Sequence, residues 1–150
     1  MLSAHRTFTT ITPPDVVFAY LSDFTRAEEW DPGTVECTRV EGDGGVGTRY
    51  RNVSSFLGRK TTLEYVAEEL TGPRFVHFRG HNEQFTGHDR IRLEALDGGA
   101  TGTEVTYDAE FAFRGASRAA VPLVALYLPH LAKKTVASMR DRLDRLSHGS

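Results

Sequence analysis

Asp89 is the residue whose type and position point most directly to chemistry. It lies in a segment of alternating polarity, and its predicted face otherwise carries Phe85, Gly87, Ile91 and Leu93. A carboxyl group on an apolar face has its pKa raised by desolvation or is held ionised by a partner. Such a group suits a general base or an anchor for a ligand hydroxyl. The alternatives are that Asp89 pairs with an arginine such as Arg6, or that it lies near an open edge.

Tyrosine hydroxyls are the second kind of group in this chain that could bind a ligand or take part in catalysis. Tyr50, Tyr65 and Tyr107 are predicted on inward-facing positions, and Asn52 follows Tyr50 on the same strand and the same face. Buried tyrosines commonly pack and satisfy a single hydrogen bond, but their hydroxyls also serve ligands. Asp89 and Tyr107 are therefore the candidate catalytic residues: the carboxylate would abstract an acidic proton beside a carbonyl, and a tyrosine hydroxyl would support the developing enolate oxygen.

Histidine and cysteine positions do not favour a metal site. His77 and His81 point the same way on a strand but lie about 13 Å apart, too far for one ion. His77 and His88 could face each other across a hairpin, but on the solvent side and without a fixed third ligand. The single cysteine, Cys37, excludes a multi-cysteine zinc site and is read as a small core residue. We predict no metal at this face, which is read as a solvated basic surface.

The run Gly42–Gly47 matches the spacing of a dinucleotide-binding loop, but its context does not. That motif needs a helix after the glycines, so that the pyrophosphate meets the helix N-terminus. Here the segment 48–52 alternates like a strand, which indicates a glycine-rich hairpin. We therefore predict no cofactor.

Composition places the chain among soluble globular proteins with one domain, residues 1–150. Hydrophobic residues make up 39% and charged residues 25%, and the net charge of −2 disfavours nucleic-acid binding, which needs a dense cationic face. The longest apolar stretch, 119–128, is about half a bilayer span and contains Pro122, so stable membrane insertion is not expected. No signal peptide is recognised at the N-terminus, and a cytoplasmic location is expected.

The pattern of elements predicts an α+β fold. A strand over 4–11 precedes two short helices, the first capped by Thr12 with Pro13 at its first position and the second starting at Ser22 or Asp23. Residues 35–113 then alternate with a period of two through six strands, and 118–147 form a long helix. Pro122 and Pro129 are expected to break or kink the first part of that helix. A seven-stranded curved antiparallel sheet with one apolar face needs this helix as its cover.

Strand register follows from the apolar pattern. A two-residue turn at Asn82-Glu83 would place Val76, Phe78 and Gly80 on the face that carries Asp89. In the preceding hairpin, around Gly58, Tyr50 would align with Tyr65 and Asn52 with Leu63.

Five segments together resemble the polyketide cyclase/dehydrase and lipid-transport family of the START-like, pollen-allergen-like superfamily, often called SRPBCC. They are Thr12-Pro13-Pro14-Asp15 continuing to Asp23, Trp30-Asp31-Pro32-Gly33, Gly47-Thr48, Asp89-Arg90-Ile91 and Gly102 to Tyr107. The resemblance covers essentially the whole chain. It implies a helix-grip fold, in which the sheet wraps around the long C-terminal helix and encloses a deep hydrophobic cavity, with two short helices between strands 1 and 2.

Three functions remain open. The first is binding of a small hydrophobic molecule of lipid, polyketide or isoprenoid type. The second is a cofactor-independent polyketide cyclase or dehydratase that uses Asp89 and Tyr107, and the third is a ligand-free interaction module. The protein is expected to be a monomer or a homodimer. The expected ligand-binding residues are Tyr50, Asn52, Tyr65, Phe78, Ile91, Phe111, Leu128 and Leu131.

Overall fold

A computed structural model describes residues 2–56 and 58–148 and shows one antiparallel sheet with its helices. The strands are β1 Leu2–Thr10, β2 Thr34–Glu41, β3 Arg49–Phe56, β4 Arg59–Thr71, β5 Phe75–His81, β6 Phe85–Leu96 and β7 Gly102–Phe113. The helices are α1 Pro14–Leu21, α2 Ala27–Trp30 and α3 Val121–His148, with 3-10 turns at Phe24–Arg26, Asp97–Gly99 and Gly115–Ala120. The strand order is β1-β7-β6-β5-β4-β3-β2, so the predicted α+β, helix-grip architecture is confirmed.

Alternation along the strands gives the sheet an apolar inner face and a polar outer face. On β7, Val105, Tyr107 and Ala109 are buried, while the intervening Thr106 and Asp108 are half-buried. The same alternation runs through β5 and β6, and the inner residues form one core with α1, α2 and the C-terminal half of α3. Since side chains on a strand point to opposite faces in turn, this pattern fixes which residues can reach an interior site.

The two predicted hairpin registers have different outcomes. Tyr50 pairs with Tyr65 and Asn52 with Leu63, as predicted. In the next hairpin, Gly80 pairs with Gly87, so the turn is longer than the two residues predicted. The Asn82 amide donates to the Phe85 carbonyl at 2.9 Å, which closes a wider loop. Asn82-Glu83 lacks the glycine that a two-residue turn favours, and the shift of two positions keeps every side chain on its predicted face.

The first helix starts one residue later than predicted. Pro13 is the N-cap and Pro14 the first helical residue, and no side-chain cap is present. The Thr12 hydroxyl is used elsewhere: it donates to the Leu143 carbonyl on α3. The second helical segment was predicted to start at Ser22 or Asp23, and the structure has Asp23 as its N-cap. The Asp23 side chain accepts a hydrogen bond from the Thr25 amide.

The C-terminal helix α3 runs continuously past Pro129, so the predicted break is absent. Its second half is well packed, and Met139 and Leu143 are fully buried. The N-terminal half of α3 is only partly covered by the rest of the protein: Leu128 is buried, whereas Leu126 is 74% exposed. The helix is thus anchored at its C-terminal end and presents an apolar, partly uncovered N-terminal half.

Candidate functional site

Asp89 lies on the inner face of β6, at the centre of the sheet. It pairs with Phe78 on β5 and Ala109 on β7, and Gly87 precedes it on the same face. The space above Gly87 is filled by the ring of Phe85. The Tyr107 hydroxyl donates a hydrogen bond of 2.8 Å to the Asp89 carboxylate. The predicted inward orientation of Asp89 and its proximity to Tyr107 are both present in the structure.

Burial shifts the acidity of Asp89 into the neutral range. Desolvation raises the pKa of this carboxyl group to about 7, the hydrogen bond from Tyr107 opposes that shift, and the charge of Asp31 adds to it. Among the described residues, no basic side chain hydrogen-bonds to Asp89. Arg6 lies opposite Tyr107 on β1, but its guanidinium donates to the carbonyl of His5. Asp89 can therefore accept or release a proton near pH 7.

Trp30 is the neighbour of this pair that the candidate set omitted. Its indole ring packs edge-to-face against Tyr107, with ring centroids 6.3 Å apart, and the residue is 1% exposed. Its Nε1 is enclosed by protein atoms and, within the described residues, is the one fully buried side-chain nitrogen or oxygen without a hydrogen-bond partner. An unpaired buried N–H costs about 1–3 kcal/mol. The indole is thus held by packing, and its N–H carries this uncompensated cost within the core.

Tyr65 reaches the same region from β4. Its pKa is raised well above the usual tyrosine value, first by desolvation and then by the charges of Asp89 and Asp31. Its ring packs against Phe24 at 4.4 Å between centroids. No hydrogen bond to its hydroxyl is formed within residues 2–56 and 58–148. We call Trp30, Tyr65, Asp89 and Tyr107 the inner polar cluster.

Residual accessibility separates this cluster from the packed core beside it. Asp89 and Tyr65 each remain 8% exposed and Tyr107 7%, whereas the neighbouring Phe78 and Ile91 are 1% exposed. The polar members on the sheet thus keep a small part of their surface exposed. The arrangement combines one ionisable carboxyl group and one unpaired tyrosine hydroxyl among apolar side chains.

Asn52 and Tyr50 are held by protein contacts. The Asn52 amide donates to the Thr34 hydroxyl at 3.3 Å, and its carbonyl oxygen accepts from the Ser54 hydroxyl at 2.5 Å. Thr34 in turn donates to the Asp31 carboxylate at 2.9 Å. Tyr50 is 1% exposed. Asn52 and Tyr50 therefore lie at the β3 side of the interior, where a network from Ser54 to Asp31 already uses the polar groups.

The other expected wall residues lie at two different depths. Phe78 and Ile91 are part of the packed core. Phe111 is half-buried and packs against Phe85, with centroids 5.7 Å apart. Leu128 and Leu131, from the less covered half of α3, are buried and half-buried. Phe111 and Leu131 are therefore more exposed than the inner polar cluster, whereas Leu128 is as buried as Asp89.

Asp31 and Trp30 are the functional candidates that pattern reading missed. The sequence favoured packing of Trp30 against the sheet, which is what its ring does, but no sequence signal shows that its Nε1 lacks a partner. Asp31 ends α2 beside Pro32, and its carboxylate accepts hydrogen bonds from Gly33 and Thr34. Burial raises its pKa. Its charge matters for the cluster because it acts on Asp89, Tyr65 and Tyr107 alike.

The outer face of the sheet carries the basic residues predicted there. His77 and His88 hydrogen-bond to each other at 2.9 Å, and Arg90 pairs with Glu110. A shallow depression of about 340 Å³ on this side is lined by Ser3, Ala4, His5, Arg90, Asp108, Ala109 and Glu110. His130 is exposed on α3. The side chains of His77, His88, Arg90 and Glu110 point away from the inner polar cluster and form a separate surface.

The chain matches a known protein family over nearly its whole length. The model of the family described as polyketide cyclase/dehydrase and lipid transport matches residues 1–147. No protein of curated function matches the chain. No helix of the described residues is long and apolar enough to cross a membrane.

Solved structures show the same fold at low sequence identity. A Thermus thermophilus protein has a TM-score of 0.77 and 16% identity, covering 99% of this chain and 100% of its own. A Streptomyces aromatase/cyclase has a TM-score of 0.74 and 17% identity, covering 98% and 92%. A START superfamily protein from Mycobacterium smegmatis has a TM-score of 0.75 and 13% identity, covering 96% and 98%.

Proposed function

The chain belongs to the polyketide cyclase/dehydrase and lipid transport family, and from this premise we propose that it binds a small, mostly apolar molecule between α3 and the inner face of the sheet. The observation that carries the proposal is the Asp89–Tyr107 pair, a hydrogen-bonded carboxyl and hydroxyl in an otherwise apolar interior. Ligand sites typically combine apolar walls with a few placed polar groups. The pair would hold the polar end of the ligand.

The energetics of the interior support a ligand. A buried carboxyl group without a basic partner is costly, and so is the unpaired Nε1 of Trp30. Neither group stabilises the fold as well as an apolar side chain of the same size would. The cost at Asp89 falls when a bound molecule supplies a further hydrogen bond to its carboxyl group.

The first half of α3 supports a route to this interior. Leu126 and Tyr127 on that half are exposed, and Leu128 faces inward. At the same end of the sheet, Phe85 packs against Phe111 and Phe113. An apolar ligand would pass between this aromatic group and the less covered half of the helix.

A fluorescence titration tests the binding proposal, because Trp30 is the one tryptophan of the chain and contacts Tyr107. We expect the neutral dye Nile red to bind with a saturable increase in its own emission and a matching decrease in that of Trp30. Asp108→Asn, on the outer face of β7, is the control and should bind equally. A wild-type protein that gives no saturable signal with Nile red contradicts the proposal.

Catalysis of proton transfer is the second candidate, favoured by the pKa of Asp89 near 7. As a carboxylate, Asp89 would take a proton from a carbon beside a carbonyl, and the C–H electrons would form the enolate. The Tyr65 hydroxyl, unpaired within the described residues, would donate to the enolate oxygen. Attack of the enolate carbon on a second carbonyl of the same molecule would close a ring, and loss of water would complete a cyclase or dehydratase reaction.

Base-catalysed opening of 5-nitrobenzisoxazole tests this second candidate without knowledge of the natural substrate. The base removes the ring C–H proton while the N–O bond breaks, and a coloured cyanophenolate forms. We expect a rate that rises with pH through about 7 in the wild type, and a loss of at least about a hundredfold in Asp89→Asn. Unchanged turnover in Asp89→Asn, with Asp108→Asn as control, removes Asp89 from any mechanism.

A further inference from the structure

We infer that Phe85 controls access to Asp89: its ring occupies the place that an apolar group of the ligand takes, and the ligand must displace it. The inference rests on the proposed function, because it names the side chain that decides which molecules the interior accepts. It is drawn from the packing around Gly87, which lies between Phe85 and Asp89 on the inner face of β6.

Two glycines leave a strip of the inner face without side chains of its own. Gly80 on β5 and Gly87 on β6 are directly paired, and both are buried. Rings from other positions cover this strip. A Cβ atom at Gly80 would lie 2.4 Å from the ring of Tyr65, and one at Gly87 would lie 3.0 Å from the ring of Phe85. The rings thus lie closer to the backbone than a Cβ atom would allow, as is typical where glycine admits a group against a strand.

The ring of Phe85 lies between Asp89 and the end of the sheet. Successive inner-face positions on a strand are about 7 Å apart, so the ring over Gly87 is one step from Asp89. Phe85 also packs against Phe111 and Phe113, with ring centroids 5.7 and 5.2 Å apart. Asp89 is 8% exposed, whereas the three phenylalanines are half-buried. A molecule that enters from this end therefore meets the Phe85 ring before it reaches Asp89.

The backbone at Phe85 is held in place, so the ring is the part that moves. The Phe85 carbonyl accepts hydrogen bonds from the Asn82 amide at 2.9 Å and from the Arg114 guanidinium at 3.2 Å. The same guanidinium donates to the Thr86 hydroxyl at 2.6 Å. Because Phe85 is the first residue of β6 and half-buried, a change of its side-chain rotamer turns the ring toward solvent without breaking these contacts.

Displacement of the ring has a cost that a matching ligand offsets. Exposure of a phenylalanine side chain to water is unfavourable, so the displaced state is a minor population of the free protein. A ligand that binds this minor state loses affinity in proportion to the fraction of molecules that occupy it. Removal of the ring removes that loss, and the same ligand then binds more tightly.

Stopped-flow binding of Nile red to Phe85→Ala tests the inference. We expect the association rate constant to rise at least about tenfold over wild type, with the dissociation rate constant changed by less than about threefold, because the site is the same once the ring has moved. Phe85→Leu should give a smaller increase. Phe8→Ala is the matched control and should leave both rate constants unchanged, since Phe8 is also half-buried but pairs with Val105, far from Phe113 on β7.

Fluorine NMR follows the ring itself in the wild-type sequence. In protein labelled with 4-fluorophenylalanine, the resonance that is missing from Phe85→Ala belongs to Phe85, and the one missing from Phe8→Ala belongs to Phe8. Saturation with Nile red should increase the solvent isotope shift of the Phe85 resonance between H2O and D2O, because the displaced ring is exposed to water. The Phe8 resonance should keep its isotope shift.

The outcomes separate this inference from the proposal beneath it. If Phe85→Ala associates with Nile red as fast as wild type does, or more slowly, the inference is overturned and the binding proposal is left intact. An unchanged isotope shift of Phe85 at saturation does the same. A saturable signal from Phe85→Ala with none from wild type overturns both, because the ring is then a permanent part of the core, and so does the absence of a signal from both proteins. Circular dichroism and thermal unfolding of each variant establish that a changed rate reflects the site and not misfolding.

Discussion

The Tyr107 hydroxyl on β7 donates to the Asp89 carboxylate on β6 across one diagonal step of the sheet, at 2.8 Å. Asp89 pairs directly with Ala109, and Tyr107 pairs with Ile91, so the two side chains are diagonal neighbours on one face. This relationship places a carboxyl group with a pKa of about 7 in the interior of an antiparallel sheet. It also generates predictions about stability and acidity that do not depend on the identity of a ligand.

Asp89→Asn is expected to stabilise the protein above pH 7. The folded pKa of Asp89 is raised to about 7 from 3.8, so the unfolded chain releases this proton first as pH rises. Wild-type stability relative to the variant therefore falls between about pH 4 and pH 7 and is constant above that. The expected gain for Asp89→Asn at pH 8 is a few kcal/mol, since one pKa unit is about 1.4 kcal/mol.

Urea denaturation of wild type and variant at pH 4, 6 and 8 measures this trend. Asp108→Asn, half-buried on the outer face where its carboxylate pairs with His5, should change stability by less than about 1 kcal/mol at each pH. A stability difference between wild type and Asp89→Asn that does not change with pH would show that Asp89 is not desolvated.

Tyr107→Phe is expected to raise the pKa of Asp89 further. The Tyr107 hydroxyl stabilises the carboxylate form, and among the causes of the Asp89 shift it is the one that lowers the pKa. Carbon-13 NMR of labelled aspartate side chains, recorded from pH 4 to pH 10, follows the titration directly. Tyr127→Phe, on the exposed half of α3, serves as the control and should leave the curve in place. A titration midpoint that moves down in Tyr107→Phe would refute the assigned role of the hydroxyl.

Gly80→Ala is expected to displace the ring of Tyr65. A Cβ atom at Gly80 would overlap the ring atoms of Tyr65, which packs over this glycine. Overpacking of this kind costs about 1–3 kcal/mol, and it would move a member of the inner polar cluster. Gly33→Ala is the matched control, because a Cβ there meets its nearest atom at 3.5 Å. Thermal unfolding measures the loss of stability, and Nile red binding reports the displacement of the Tyr65 ring. A Gly80→Ala protein with the same unfolding temperature and the same Nile red affinity as wild type would mean that the space at Tyr65 is larger than described.

Thr12→Val is expected to loosen the attachment of α3. The Thr12 hydroxyl is buried and donates to the Leu143 carbonyl, while Thr10 donates to Asp144 at 2.6 Å. Removal of a buried hydrogen-bond donor whose acceptor stays buried costs about 1–3 kcal/mol. Thr9→Val, at an exposed position of the same strand, should change the free energy of unfolding by about 0.5 kcal/mol or less. Equal effects of the two substitutions, measured by urea denaturation, would count against this anchor.

The parts of the structure that the sequence predicted are those set by strict periodicity. The period of two placed Asp89 and Tyr107 on one face and aligned Tyr50 with Tyr65, because a one-residue slip would expose the core. The turn after β5 and the cap of α1 were mis-assigned because they depend on single hydrogen bonds, at Asn82 and Thr12. The unpaired Nε1 of Trp30 and the turn of Arg6 away from Asp89 depend on rotamers, which no sequence pattern encodes.

A crystal structure of the protein with 2-naphthol tests the central claim most directly. We expect density for the probe between α3 and the inner face of the sheet, with its oxygen within hydrogen-bond distance of the Asp89 carboxylate or the Tyr65 hydroxyl. Crystals of the same protein in which this space is filled by its own side chains, with the probe absent or bound on the outer face, would contradict the account.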